Sequence, residues 1–102
     1  MSIYYLLLEG RPLPSNAESN EFAGAYISCW IDAKNEGSAR MRAIRHIHDE
    51  EDWQTINIEE IYIADRRRYM EESDSLACFD QAIESGIGVI FYTWPIGGDD
   101  EP

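Results

Sequence analysis

The alternation of apolar and polar side chains divides the chain into four strand-like runs and two helix-like ones. The most informative run is 24–32, GAYISCWID. Ile27, Cys29 and Ile31 fall on one side of its period-two pattern, and Tyr26, Ser28, Trp30 and Asp32 on the other. It predicts a strand with one aliphatic and one aromatic-polar face, and what covers the second face becomes the functional question. Residues 3–8, IYYLLL, end at Glu9-Gly10; too short for a lone helix and rich in Tyr, Leu and Ile, they predict a central strand buried on both faces. In 53–64, WQTINIEEIYIA, Ile56 and Ile58 share one parity whereas Ile61 and Ile63 share the other. A β-bulge at Glu59-Glu60 would reset the alternation in this way. The last run, 87–94, is apolar on both faces and predicts an internal strand.

Between these runs, 35–51 predicts a helix capped by Asp32 or Asn35, with Met41, Ile44 and Ile47 as its apolar stripe and Ala43 and His48 at the margins. Asp49 to Asp52 place four negative charges at its C-terminal end, where the macrodipole opposes them, so the helix is expected to stop there. A second helix over 74–85 turns Leu76, Phe79, Ala82 and Ile83 to the core, with Gly86 as the residue that ends it. The segment 11–23, RPLPSNAESNEFA, reads as a long loop with at most one helical turn near Ser15, and is a candidate binding rim or cover for the sheet.

The resulting order is β-β-α-β-α-β in one domain over 1–98, followed by an acidic tail, 99–102, expected to be disordered. Strand-helix-strand links of this length are expected to be parallel crossovers. They would give an α+β two-layer sandwich: a mixed four-stranded sheet with both helices on one face. This arrangement is similar to a ferredoxin-like domain at the level of fold, a likeness that implies no activity.

Charge narrows the partner classes. The 102 residues carry 20 acidic and 8 basic groups, a net charge of -12, and no basic group at all follows Arg68. Nucleic acid and anionic membrane surfaces both ask for the opposite sign. The opening MSIYYLLLEGR has neither the basic start nor the apolar length of a signal peptide, and no apolar run approaches the ~18 residues of a membrane span. Cys29 and Cys78 are too few and too far apart for a metal motif or a disulfide framework, so both read as free thiols in a cytoplasmic protein.

Candidate chemistry centres on the aromatic face. If Ile27, Cys29 and Ile31 meet the helices, then Tyr26, Trp30, Tyr92 and Trp94, with Tyr62 and Tyr4, look away from them as a candidate interface or ligand surface. A second copy in a homodimer, a basic protein partner, loop 11–23 or a small molecule would each cover it. Arg66, Arg67 and Arg68 form a candidate anion site, or else pair with Glu71, Glu72 and Asp74. His46 and His48 lie two apart on a helix and cannot share a metal ion; at most each meets a carboxylate four residues on, Glu50 or Asp52. With Cys29 buried, Cys78 lacking a base, and neither a Ser-His-Asp set nor a glycine-rich phosphate loop, no catalytic residue, metal or cofactor is assigned. The expected role is a non-catalytic acidic interaction module for a basic partner, a profile similar to small bacterial immunity or inhibitor proteins. The alternative is a dimeric, α+β barrel-like small-ligand-binding protein or enzyme with an aromatic-lined pocket.

Overall fold

The computed structural model describes residues 2–96, so the expected tail at 99–102 lies outside the described residues. Four strands, β1 (Ser2–Pro12), β2 (Phe22–Ala33), β3 (Trp53–Ile63) and β4 (Ile87–Pro95), and two helices, α1 (Glu36–Asp49) and α2 (Ser73–Ser85), make an α+β fold. The sheet runs β3-β1-β2-β4 and every neighbouring pair is antiparallel. Neither the mixed sheet nor the ferredoxin-like arrangement is present. The reason is that β1 inserts between β2 and β3: α1 links two strands that run parallel but never touch. β1 is central as expected, and β4, despite its apolar sequence, is an edge strand.

Both hairpin-side strands are longer than the apolar runs that announce them. β1 continues through Glu9-Gly10 to Pro12, and β2 begins at Phe22. The loop is thus cut to 13–21, and it contains a 3-10 turn at Ala17–Asn20. Asn16 ties it down: its amide donates to the Glu51 and Asp52 carbonyls at 3.3 and 3.0 Å, while its side-chain oxygen accepts from the Glu18 N–H at 2.8 Å. Loop 11–23 is therefore fastened to the α1–β3 corner, and Tyr26 and Tyr92 stay exposed. In β3 the expected bulge is present, with Leu7 opposite Glu60 and Leu8 opposite Ile58, so Glu59 is the extra residue. A second register shift nearby opposes Glu9 to Asn57 and Gly10 to Thr55.

The core splits into two clusters on opposite sides of the sheet. Leu6, Leu8, Ala25, Ile27, Cys29, Ile31 and Ala33 pack with Ala39, Ala43 and Ile47 of α1. The buried stripe of α1 is thus the i, i+4 row 39-43-47, and Met41, 59% exposed, and Ile44 are outside it. Small alanines let α1 lie close to the sheet, which leaves no room for a methionine in that row. Asn35 caps this helix, its side chain accepting from the Ser38 N–H at 2.8 Å.

The second cluster joins Trp30 to Phe79 and Ala82 of α2 and to Tyr69. Trp30 has the opposite parity to Cys29 and Ile31, so α2 stands on the other face from α1. The expectation that both helices share one face fails because the link from β3 to β4 joins opposite edges of the sheet and crosses the aromatic side. Gly88, opposite Trp30 in the ladder, makes this crossing fit: a Cβ there would collide with the Cys78 carbonyl of α2. Ile83, expected in the core, is exposed, and Leu76 is half-buried. Gly86 ends α2 at a φ of 100°, the left-handed conformation that glycine adopts freely.

Candidate functional site

Directly opposed residues share a face, so the ladder defines the aromatic side. β1 contributes Ile3, Tyr5, Leu7 and Glu9, and β2 contributes Tyr26, Ser28 and Trp30. β4 contributes Gly88, Ile90, Tyr92 and Trp94, and β3 contributes Glu60 and Tyr62. Tyr4, expected here, lies on the aliphatic face opposite Ile31 and Ile63, and Tyr5 takes its place. A run reading Tyr-Tyr-Leu-Leu-Leu does not reveal which tyrosine belongs to which face until its register is known.

One half of this face is covered by α2 and by the 3-10 turn Arg66–Tyr69. Trp30, placed by the sequence on an open surface, is only 1% exposed. A ladder of rings crosses the sheet beneath this cover. Tyr62 and Tyr5 lie 5.1 Å apart between centroids, Tyr5 meets Trp30 edge-on at 5.1 Å, Trp30 meets Tyr69 edge-on at 5.6 Å, and Tyr69 reaches Phe79 at 6.0 Å. Each such pair adds roughly 0.5–1.5 kcal/mol beyond area burial. Tyr5 and Ser28 exchange a hydrogen bond of 2.8 Å between their hydroxyls. Burial raises the Tyr5 phenol above its ordinary value, an effect the Ser28 bond partly offsets.

The cover does not close completely. A groove of ≈ 490 Å³ remains, walled by Tyr5, Trp30, Tyr62, Tyr69 and Tyr92, with Arg68, Glu72 and Ser75 at its α2 side. Two polar atoms of its wall residues, Trp30 Nε1 and the Tyr69 hydroxyl, are buried without a well-formed hydrogen bond, the Tyr69 hydroxyl lying close to Trp30 and Tyr62. Burial pushes the Tyr69 phenol up to about 12. Neither Tyr69 nor Ser75 was expected on this face, since the turn that carries Tyr69 reads first as a basic cluster.

The three arginines separate. Arg66 makes a two-pronged pair with Asp80, at 2.9 and 3.1 Å, and Arg67 pairs with Asp65 at 2.7 Å. Neither uses Glu71, Glu72 or Asp74, because the 3-10 turn fans successive side chains apart. Those two bonds hold the Asp65 carboxyl down at about 2 and the Asp80 carboxyl below its ordinary value. Arg68 instead lies 5.0 Å over the Tyr62 ring. Among the described residues it makes no ion pair, so only one of the three sequence-predicted anion ligands faces the groove.

The other half of the face is open. Tyr26 is 44% exposed and Tyr92, directly opposite it, 53% exposed. Trp94 lies 5.2 Å from Tyr26 and rests on the bare backbone of Gly24, where an added Cβ would come within 2.6 Å of its indole. Glu9 sits beside Tyr26 across the β1–β2 ladder.

Elsewhere the candidate chemistry resolves into ordinary contacts. His46 Nε2 is 3.2 Å from Glu51, one residue beyond the expected Glu50, and His48 Nδ1 is 2.9 Å from its neighbour Asp49 in place of Asp52, because α1 ends at Asp49. Among the described residues no group of three or more His, Cys, Asp or Glu is placed to hold a metal ion, and no helix is long and apolar enough to cross a membrane. The Cys29 thiol lies on the α1 face, where burial pushes it far above its ordinary value, and burial also raises Cys78; neither has the depressed pKa that makes a cysteine nucleophilic. The chain matches no protein-family model, no curated protein and no solved structure.

Proposed function

We propose that this protein is a non-catalytic interaction module that docks the open half of its aromatic face against a basic protein partner. The observation that carries the reading is the pair Tyr26 and Tyr92, large rings left half in water although the neighbouring rings of the same face are covered. Aromatic residues concentrate at the centres of interfaces. Glu9 and Glu60 lie on the same face, and the net charge of -12 would speed encounter with a cationic surface. A second copy of the chain competes for this surface; with α2 occupying the other half, only the Tyr26–Tyr92–Trp94 half is available to it. The test compares proteins retained from a native lysate by the wild type and by Tyr26→Ser/Tyr92→Ser. The reading expects a partner of high isoelectric point, released by salt and lost with the double variant. Equal retention by both, or retention of the chain's own copies alone, contradicts it.

A second reading, a small-ligand-binding protein of the barrel-like kind, draws on the ≈ 490 Å³ groove. That volume lies within the ordinary range of small-molecule sites. Because α2 and the Arg66–Tyr69 turn wall one side within a single chain, a ligand there needs no second copy for that wall.

A further inference from the structure

We infer that the groove beneath α2 takes a small aromatic carboxylate, its ring among Tyr5, Trp30, Tyr62 and Tyr92 and its carboxylate toward Arg68 and the start of α2. This rests on the ligand-binding reading of the groove, which shares only Tyr92 with the open half proposed for partner docking. Two observations converge on one ligand chemistry. Arg68 is the arginine of its cluster that lacks a carboxylate partner among the described residues, and stacking on Tyr62 holds its guanidinium at the groove. Helix α2 starts at the same place without a side-chain cap. Its first bonded amide is Leu76, which donates to the Glu72 carbonyl at 2.9 Å, so the amides of residues 73–75 have no acceptor within the helix. Beneath the groove, Trp30 and Tyr69, only 1% and 6% exposed, carry an indole N–H and a hydroxyl that make no well-formed hydrogen bond, although the two side chains meet. Both atoms are closed off from the groove by their neighbours, so they mark a polar floor beneath it and are not its points of contact with a ligand.

Donors therefore dominate the site, while four rings supply flat apolar walls that a bare inorganic anion would leave uncovered. Glu72 is the opposing charge. It lies at the exposed rim, where it weakens anion binding.

The experiment is an amide and indole N–H titration by nuclear magnetic resonance, using benzoate, benzyl alcohol and benzylamine as probes on the full chain. Benzoate is expected to shift the Trp30 indole N–H and the amides of 73–75 saturably, more tightly than benzyl alcohol, with benzylamine weakest. Arg68→Gln, a change on an exposed turn, is expected to weaken benzoate about tenfold and leave benzyl alcohol unchanged. Glu72→Gln is expected to strengthen benzoate. Benzylamine binding as tightly as benzoate, or benzoate indifferent to Arg68→Gln, overturns the carboxylate assignment. If benzyl alcohol binds and benzoate does not, the ligand-binding reading stands and the carboxylate is wrong; if none of the three binds in the groove, both fall.

Discussion

On one side of the sheet Leu6, Leu8, Ile27, Cys29 and Ile31 disappear beneath α1, whereas on the other Trp30 is buried only by combining α2, a 3-10 turn and a row of tyrosines. The α1 side is built mostly of small and branched side chains, with Trp53, Phe91 and Tyr4 toward its margins, so packing does most to complete it. On the aromatic side every large ring except Phe79 brings a hydroxyl or an indole N–H that must find a partner. Tyr5 and Ser28 satisfy one another, but Trp30 Nε1 and the Tyr69 hydroxyl remain without partners, and beyond them Tyr26 and Tyr92 face water. The α1 face leaves one buried polar group without a bond, the Thr55 hydroxyl, and the aromatic face leaves two with open rings beside them, so the aromatic face is where the molecule has more bonding capacity to spare.

The contrast can be broken by substitution, and the largest effect belongs to the α1 side. Ile47→Ala opens a cavity in the α1 cluster and should cost about 2–5 kcal/mol, read as a lower denaturation midpoint with all probes in register. Gly88→Val should cost about 1–3 kcal/mol by overpacking, yet act locally: the collision with the Cys78 carbonyl lifts α2, so Trp30 fluorescence should shift to the red before the β-sheet signal is lost. A single shared transition for Gly88→Val would erase the distinction between the faces.

Smaller effects sharpen it. Tyr69→Phe removes a buried hydroxyl without a partner and should stabilise the isolated protein by about 1 kcal/mol. It should also change the alkaline limb. A tyrosine in the unfolded chain ionises near about 10, and Tyr69 in the fold at about 12. Between those values the unfolded state releases the proton first, so stability fully present below pH 10 is lost as pH rises toward 12. Denaturation midpoints measured across that window should fall more steeply for the wild type than for Tyr69→Phe. Smallest is Tyr26→Ser/Tyr92→Ser, expected to shift stability by less than about 0.5 kcal/mol per site while abolishing partner retention.

How much of this was legible in the sequence depended on whether a feature is local. The period-two pattern of β2 identified both of its faces, the parity change at Glu59-Glu60 marked a real bulge, and Asn35 and Gly86 delimited their helices, because each is set by neighbours a few residues away. Strand order is not local. An apolar β4 looks internal, yet it is an edge whose apolar residues are shielded by α2 on one side and the α1 cluster on the other. The same blindness put Tyr4 on the wrong face and left Trp30 in the open. Gly88 was the available signal: a glycine inside an apolar strand marks the close approach of another backbone, and here it marks the face that α2 crosses. Of the candidate site, Tyr26, Trp30, Tyr62, Tyr92 and Trp94 do share one face. Splitting that face into a covered and an open half required the helix.

The most direct test of that split is chemical: mild tyrosine nitration of the isolated protein, mapped by mass spectrometry, in the absence of any partner. The account predicts fast modification at Tyr26 and Tyr92 and protection of Tyr69, 6% exposed beneath α2. Protection of Tyr26 and Tyr92, or modification of Tyr69 at an equal rate, would contradict it.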